Sequence, residues 1–215
     1  MMNCKFSRWG TKGLIIGLCL VGALANASEA PPATSAINTK EELSLLSKLN
    51  QKVPLLFVSK GIRNKKVLLL NIKVYQAELF VSKPEQFKKL SQESTALQGI
   101  EAMQASAIRL KFLRNVEASQ LQKSLSDAMK ANHVDLNDPK LQEFVGLLSG
   151  DQAIDENQTV TIAADRTRGA IVYQSPSGKM REMRADSAFI SKVFSIWLGI
   201  PADGGLEDLK KELLS

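Results

Sequence analysis

The stretch Gly61–Val81, GIRNKKVLLLNIKVYQAELFV, sets the architecture, because it holds the longest apolar and β-branched run after the N-terminal segment. A first strand is predicted over Val53–Ser59, and the glycine that opens the stretch ends it. We interpret the polar residues Asn64–Lys66 as the turn that leads into a second, long strand. This interpretation places Arg63 at the turn and Tyr75 inside the strand, where burial would make both residues unusual.

The alternation of apolar residues in the long strand changes phase at Tyr75. Up to Val74 the even-numbered positions are apolar, whereas from Ala77 to Val81 the odd-numbered positions are apolar. Because side chains alternate between the two faces of a strand, a slip of one position moves the apolar set to the other face. The sequence therefore predicts a bulge or sharp twist near Tyr75, with two strand segments hinged there.

The rest of the chain predicts one α+β domain with an antiparallel sheet. Pro84 opens a short helix, Ser91–Gly99 is predicted to be a loop, and alternating apolar residues predict a strand over Ala105–Leu113. Asn115 is a candidate N-cap for the next helix, and Asp138 is one for the helix after it. A three-strand meander and two amphipathic helices follow, over 159–184, 187–198 and 206–214. Since strands do not alternate one-for-one with helices, the class is α+β.

The first 27 residues have the three parts of a secretory signal peptide. Three basic residues precede an eleven-residue apolar core, Leu14–Leu24, and Ala25-Asn26-Ala27 supplies a small-x-small cleavage site. The core is too short to span a bilayer as a permanent helix, although an uncleaved N-terminal anchor is the alternative interpretation. We expect residues 28–38 to be a disordered leader and residues 39–215 to form the domain.

Charge and cysteine content narrow the possible functions. Both cysteines, Cys4 and Cys19, lie in the signal, so the processed chain would contain no thiol and no disulfide. Cleavage leaves 25 basic and 22 acidic residues, and the resulting charge of +3 does not indicate a nucleic-acid partner. No later apolar run reaches the length of a transmembrane helix. These features predict a periplasmic protein with no membrane span after cleavage.

The motifs of common enzyme and metal sites are missing from the sequence. It has no glycine-rich phosphate loop and no GxSxG elbow, and its single histidine, His133, is predicted to be a solvated turn residue. Asp151, Asp155 and Glu156 lack the spacing of a calcium loop. We therefore expect no metal, no cofactor and no catalytic residue of a recognisable type.

Several separated segments resemble the chalcone isomerase-like family, and more closely its bacterial secreted branch. The family's G-x-R turn and K-V-Y-x-A-x-L-Y strand are matched by Gly61-Ile62-Arg63 and by KVYQAELF at 73–80. Its S-I-W-L-G helix is matched at 195–199, and its closing L-K-x-x-L-L helix at 209–214. The resemblance spans about 55–214 and implies an open-faced β-sandwich, in which a layer of helices covers a large antiparallel sheet and a ligand cleft lies between them.

The resemblance also implies a site around Arg63 and Tyr75. In the plant enzymes the arginine of the G-x-R turn steers the substrate phenolate, and in fatty-acid-binding plastid relatives it holds the ligand's carboxylate. Arg63 matches this arginine, and Tyr75 falls at the position of a strand threonine. Three further polar positions of the plant cleft fall at apolar residues, Ala118, Leu125 and Ile196. A cleft without those donors would bind a ligand without cyclising it.

We therefore expect a periplasmic protein that binds a small apolar or amphipathic, fatty-acid-like ligand and forms no flavanone. An arginine suits an anionic ligand, because its charge is permanent and its planar fork holds a carboxylate bidentately. The alternatives are an isomerase or intramolecular lyase acting on another substrate, and a protein-interaction module of the envelope. For the residues themselves, the alternatives are that Arg63 pairs with a nearby acid at the surface and that Tyr75 is a core residue.

Overall fold

The structure, a computed structural model, describes residues 53–148 and 153–215, and eight strands and six helices lie in these ranges. The strands are β1 Leu56–Val67, β2 Leu70–Val81, β3 Ala105–Phe112, β4 Val116–Glu117, β5 Ala153–Ile154, β6 Thr159–Asp165, β7 Ala170–Gln174 and β8 Met180–Arg184. The helices are α1 Pro84–Leu90, α2 Ala96–Glu101, α3 Ala118–Ala131, α4 Pro139–Leu148, α5 Ser187–Leu198 and α6 Gly204–Leu213.

Six of the strands form one antiparallel sheet in the order β1-β2-β3-β6-β7-β8, and β4 pairs with β5. The meander predicted over 159–184 is strands β6 to β8, and the predicted α+β class is confirmed. Within the described residues, no helix combines the length and the apolar content needed to span a membrane.

The hairpin of β1 and β2 differs from the sequence prediction in the position of its turn. β1 continues through Gly61 and Asn64–Lys66, which pair with β2 in the ladder, and Val67 pairs with Leu70. The turn is therefore the two-residue loop Leu68-Leu69, inside the apolar run that the sequence assigned to a strand. The prediction of a polar turn at Asn64–Lys66 was wrong, because these side chains lie in a solvent-facing strand and the apolar residues are exposed at the tip.

The predicted irregularity near Tyr75 is confirmed. Arg63 pairs with Tyr75, but the next residue of β1, Asn64, pairs with Lys73, so Val74 is an extra residue in β2. A bulge of this kind bends the strand and changes which side chains face the core. It accounts for the change of phase in the apolar pattern.

The main core lies between the sheet and the helices. The odd-numbered residues of β2 from Tyr75 to Val81 form one buried cluster with residues of β3 and with α5, from Phe189 to Leu198. Full burial of one such large side chain contributes about 1.5–3 kcal/mol. A smaller buried cluster takes alternate positions of the same strands, on the opposite face of the sheet: Phe80, Ala107, Ala163 and Val172.

Two local predictions between β2 and α3 were wrong, and one helix cap was right. The segment predicted as a loop after Ser91 contains α2, whose Ile100 is buried. Asn115 does not cap α3, since its side chain accepts a hydrogen bond from the Glu156 amide and α3 begins at Ala118. Asp138 caps α4 as predicted, since its Oδ1 accepts from the Lys140 amide at 3.0 Å and α4 begins at Pro139. The sequence also predicts a short amphipathic helix over 39–50 and a helix end at Gly150, and both lie outside the described residues.

Candidate ligand-binding cleft

Arg63 and Tyr75 face each other across the first two strands of the sheet. They are partners in the β1–β2 ladder, directly beside the bulge at Val74. Arg63 is 4% exposed and Tyr75 is 8% exposed, so both predicted site residues are buried. The structure brings the pair together, in a strand ladder rather than at the predicted turn.

The Arg63 guanidinium is held by two acceptors. Its Nη2 donates to Oδ2 of Asp203 at 2.6 Å, and its Nη1 donates to the carbonyl oxygen of Asn64. The other carboxylate oxygen of Asp203 accepts from the Leu206 amide at 3.0 Å and so caps α6. The alternative interpretation paired Arg63 with an acid at the surface. The structure shows such an acid, Asp203, but the arginine is buried in a strand and not at the surface.

Two glycines allow α6 to lie directly against β1 at this point. A Cβ atom on Gly61 would lie 2.8 Å from Cδ1 of Leu209, and one on Gly205 would overlap the carbonyl oxygen of Asn64. Both approaches exclude any larger side chain without a shift of the helix. The glycine of the G-x-R segment therefore serves helix packing, and the packing brings Asp203 to Arg63.

Tyr75 is a neutral phenol enclosed by aromatic residues. Its hydroxyl accepts a hydrogen bond from Nε1 of Trp197 at 3.2 Å, and its ring lies 5.7 Å from that of Phe112. Burial raises the pKa of Tyr75 to about 12, and the Arg63 charge and the Trp197 hydrogen bond offset part of this rise. Tyr75 therefore offers a hydroxyl and not an anion near neutral pH.

A cleft of about 210 Å³ opens beside this pair, between the β1–β2 hairpin and α3. Its apolar wall is formed by Val67, Ile72, Val74, Phe112, Val116 and Leu121. Four basic side chains also line it, Arg63, Lys65, Arg114 and Lys123, and no Asp or Glu is among its described lining residues. The arrangement combines an apolar surface with positive charge, which suits an amphipathic anion.

The other residues at expected cleft positions lie elsewhere. Ala118 and Leu125 line a narrow apolar crevice between α3, α4 and β5, and Ile196 is buried in α5. They are apolar, as expected, but none of the three is among the residues that line the cleft beside Arg63 and Tyr75. No cluster of three or more metal-ligating side chains occurs in the described parts of the chain.

Sequence reasoning missed Asp203, Trp197 as a tyrosine partner, and the basic residues of the cleft wall. Asp203 lies 140 positions from Arg63. Its one local signal was the sequence Asp-Gly-Gly before an amphipathic helix, which is typical of an N-cap. The lysines and Arg114 gave no signal, because isolated basic residues occur throughout the chain.

An open antiparallel sheet with a helical layer and a basic, apolar cleft defines a sandwich protein of α+β type. The family model described as chalcone isomerase-like matches residues 50–215, and the chain belongs to the chalcone isomerase-like family. The crystal structure of a fatty-acid binding protein from Arabidopsis thaliana is similar, with a TM-score of 0.57 and 19% identity over 74% of this chain and 86% of that one. This likeness shows a shared fold. No curated protein sequence matches the chain.

Proposed function

We propose that the protein binds a small amphipathic carboxylate, of the fatty-acid type, in the cleft beside Arg63 and Tyr75, and that it does so in the periplasm. The observation that carries the proposal is the pairing of an apolar wall with four basic side chains and no described acidic lining residue. Transfer of an alkyl chain out of water lowers the free energy of binding, and the interaction of an anionic headgroup with the positive charges lowers it further.

The buried and exposed ends of the cleft suggest how such a ligand lies. Arg63 and Tyr75 are buried, whereas Lys65 and Arg114 are exposed to solvent. Arg63 has five N–H donors. Its two described hydrogen bonds go to protein acceptors, so further donors remain for a carboxylate. Asp203 fixes the orientation of the guanidinium and is a positioning residue.

The lining of the cleft favours binding over flavanone formation, because it contains no described acidic residue and no histidine that could act as a base. Cyclisation requires an oriented nucleophile and donors aimed at the developing charge. Ala118, Leu125 and Ile196, at the positions where the resemblance places further polar residues, supply neither and do not line the cleft. The fatty-acid binding protein with the same fold is consistent with a lipid ligand, which for this chain is part of the proposal.

Calorimetric titration with dodecanoate and with dodecanol tests the proposal, because the two ligands share the alkyl chain and differ in charge. Replacing Lys65 and Arg114 with glutamine is expected to weaken dodecanoate binding about tenfold and to leave dodecanol binding unchanged, as two solvent-exposed charge contacts amount to about 1.4 kcal/mol. The matched control replaces Lys88 and Lys89, in the last turn of α1 and outside the cleft, with glutamine.

Two results would count against the proposal. One is the absence of any binding of either ligand to the wild-type protein. The other is a dodecanoate affinity that falls equally in the cleft variant and in the Lys88/Lys89 control, since that would reflect net charge and not the cleft.

A further inference from the structure

The tip of the β1–β2 hairpin, Val67–Leu70, exposes four apolar side chains to solvent. Leu68 is 90% exposed, Leu69 is 95% exposed and Leu70 is 68% exposed. Single exposed leucines are common, but four consecutive apolar residues at a protruding turn form a patch, and such patches mark interaction sites.

The backbone of the tip shows that these residues do not serve the turn itself. Leu68 has φ = 55°, in the left-handed region that glycine and asparagine adopt readily and that a bulky residue avoids. A two-residue hairpin loop with this geometry ordinarily has glycine at its first position. The leucine therefore stands where folding alone would favour glycine, which points to an interaction made by its side chain.

The charges around the tip indicate the kind of partner. Lys65, Lys66 and Lys73 are exposed on the strands next to it, and the segment from Gly61 to Tyr75 contains no acidic residue. An apolar tip with a collar of lysines matches a bilayer with anionic headgroups, because the leucines enter the acyl boundary while the ammonium groups meet the phosphates.

We infer that the hairpin tip is a docking element for the surface of an anionic phospholipid bilayer. Val67 belongs to both the tip and the wall of the cleft, so docking brings the cleft next to the lipid headgroups. This inference does not depend on the ligand proposed for the cleft.

Cosedimentation with vesicles tests the inference, using the protein after removal of its N-terminal signal. All variants then share one N terminus, and the described residues 53–148 and 153–215 are all retained. We expect binding to vesicles of phosphatidylglycerol and phosphatidylethanolamine, and at least tenfold weaker binding to phosphatidylcholine alone.

The decisive variant replaces Leu68 with glycine and Leu69 with asparagine. Gly-Asn is a favourable two-residue turn, so the thermal midpoint should stay equal or rise, while vesicle affinity falls at least tenfold. Leu90→Ser removes an exposed leucine in α1, outside the tip Val67–Leu70, and should bind vesicles as the wild type does. Replacing Lys66 and Lys73 with glutamine should weaken binding to the anionic vesicles and reduce its salt dependence.

The inference is overturned if the wild type and the Leu68→Gly/Leu69→Asn variant bind the anionic vesicles equally. It is also overturned if sedimentation velocity shows a wild-type dimer that the same variant converts to a monomer, without vesicle binding by either. Leu68 and Leu69 do not line the cleft, so dodecanoate affinity should be the same in this variant and in the wild type. A failure of docking and a failure of ligand binding are therefore distinguishable.

Discussion

Arg63 is a buried cation whose charge is already matched within the protein. Its ion pair with Asp203 joins a residue that is 5% exposed in its side chain to one that is 45% exposed. Asp203 therefore has two opposing effects on the proposed ligand. It holds the guanidinium in place, and it competes with a ligand's carboxylate for the same positive charge.

Replacing Asp203 with asparagine should separate these effects. Asparagine is also a good N-cap, so the start of α6 should be kept while the negative charge is lost. We expect dodecanoate to bind about fivefold more tightly and the free energy of unfolding to fall by about 1 kcal/mol, the upper range for a pair that is half exposed at one end. Calorimetry and urea denaturation measure the two quantities.

Asp208→Asn provides the matched control for this change, since Asp208 is an exposed residue of the same helix. It removes the same charge, and it should change the dodecanoate affinity and the free energy of unfolding less than Asp203→Asn does. An unchanged dodecanoate affinity in Asp203→Asn would contradict the prediction that competition by Asp203 outweighs its positioning of Arg63.

Tyr75 should make stability depend on pH in the alkaline range. The folded protein keeps the phenol proton to about pH 12, whereas the unfolded chain loses it near pH 10.0. Between these values the folded state binds more protons than the unfolded state, so stability falls as pH rises, by about 3 kcal/mol in total. Below about pH 9 this group contributes almost no slope.

Tyr75→Phe should remove that part of the alkaline loss. Urea denaturation of wild type and variant at pH 9, 10 and 11 gives the difference in slope, and the other tyrosine and the lysines cancel in the comparison. At pH 7 the variant should be less stable by about 1 kcal/mol, because the Trp197 indole loses its acceptor. Parallel stability curves for the two proteins would contradict the raised pKa of Tyr75.

Among the elements, the β1–β2 hairpin shows what the sequence can and cannot predict. The bulge beside Tyr75 was predictable, because burial of one face imposes a two-residue period that a slip interrupts. The turn was not, because the rule that turns are polar fails where an apolar tip faces solvent. The pairing of Arg63 with Asp203 depends on how α6 docks against β1, and no local pattern specifies a contact over that distance.

The docking of α6 rests on Gly61 of β1 and Gly205 of α6, at which the two elements approach each other closely. We expect Gly205→Ala to lower the free energy of unfolding by about 1–3 kcal/mol, the usual cost of forcing an extra carbon into a packed contact. The new Cβ would overlap a backbone carbonyl, that of Asn64, which cannot rotate away as a side chain can.

Gly204→Ala is the matched control, since a Cβ at Gly204 meets no atom within 4 Å. It lies in the first turn of the same helix, where alanine is the better helix former, and should be neutral or stabilising by up to about 1 kcal/mol. Equal destabilisation by the two changes would mean that backbone freedom at the Gly-Gly pair matters, and not the close approach.

At the scale of the whole molecule, the cleft, the hairpin tip and the N-terminal segment are consistent with one location. A lipid-binding cleft next to a membrane-docking tip is useful where a protein works at a bilayer surface. The charge that remains after removal of the first 27 residues is small, so the contact with anionic lipid would come from the local collar of lysines and not from net charge. Export to the periplasm is the remaining part of this hypothesis.

Export makes a chemical prediction, because the two cysteines, Cys4 and Cys19, both precede the predicted cleavage site after Ala27. The processed protein should begin with the sequence SEAPPA, carry no thiol, and leave a maleimide reagent unreacted even after denaturation. N-terminal sequencing and maleimide labelling of the periplasmic and membrane fractions measure this directly. Replacing Ala25 and Ala27 with leucine should block cleavage and keep a labelled, membrane-bound form. If the wild-type protein itself retains both thiols and stays with the membrane, the N-terminal segment is an anchor, and the tip then acts on a chain that is already held at the bilayer.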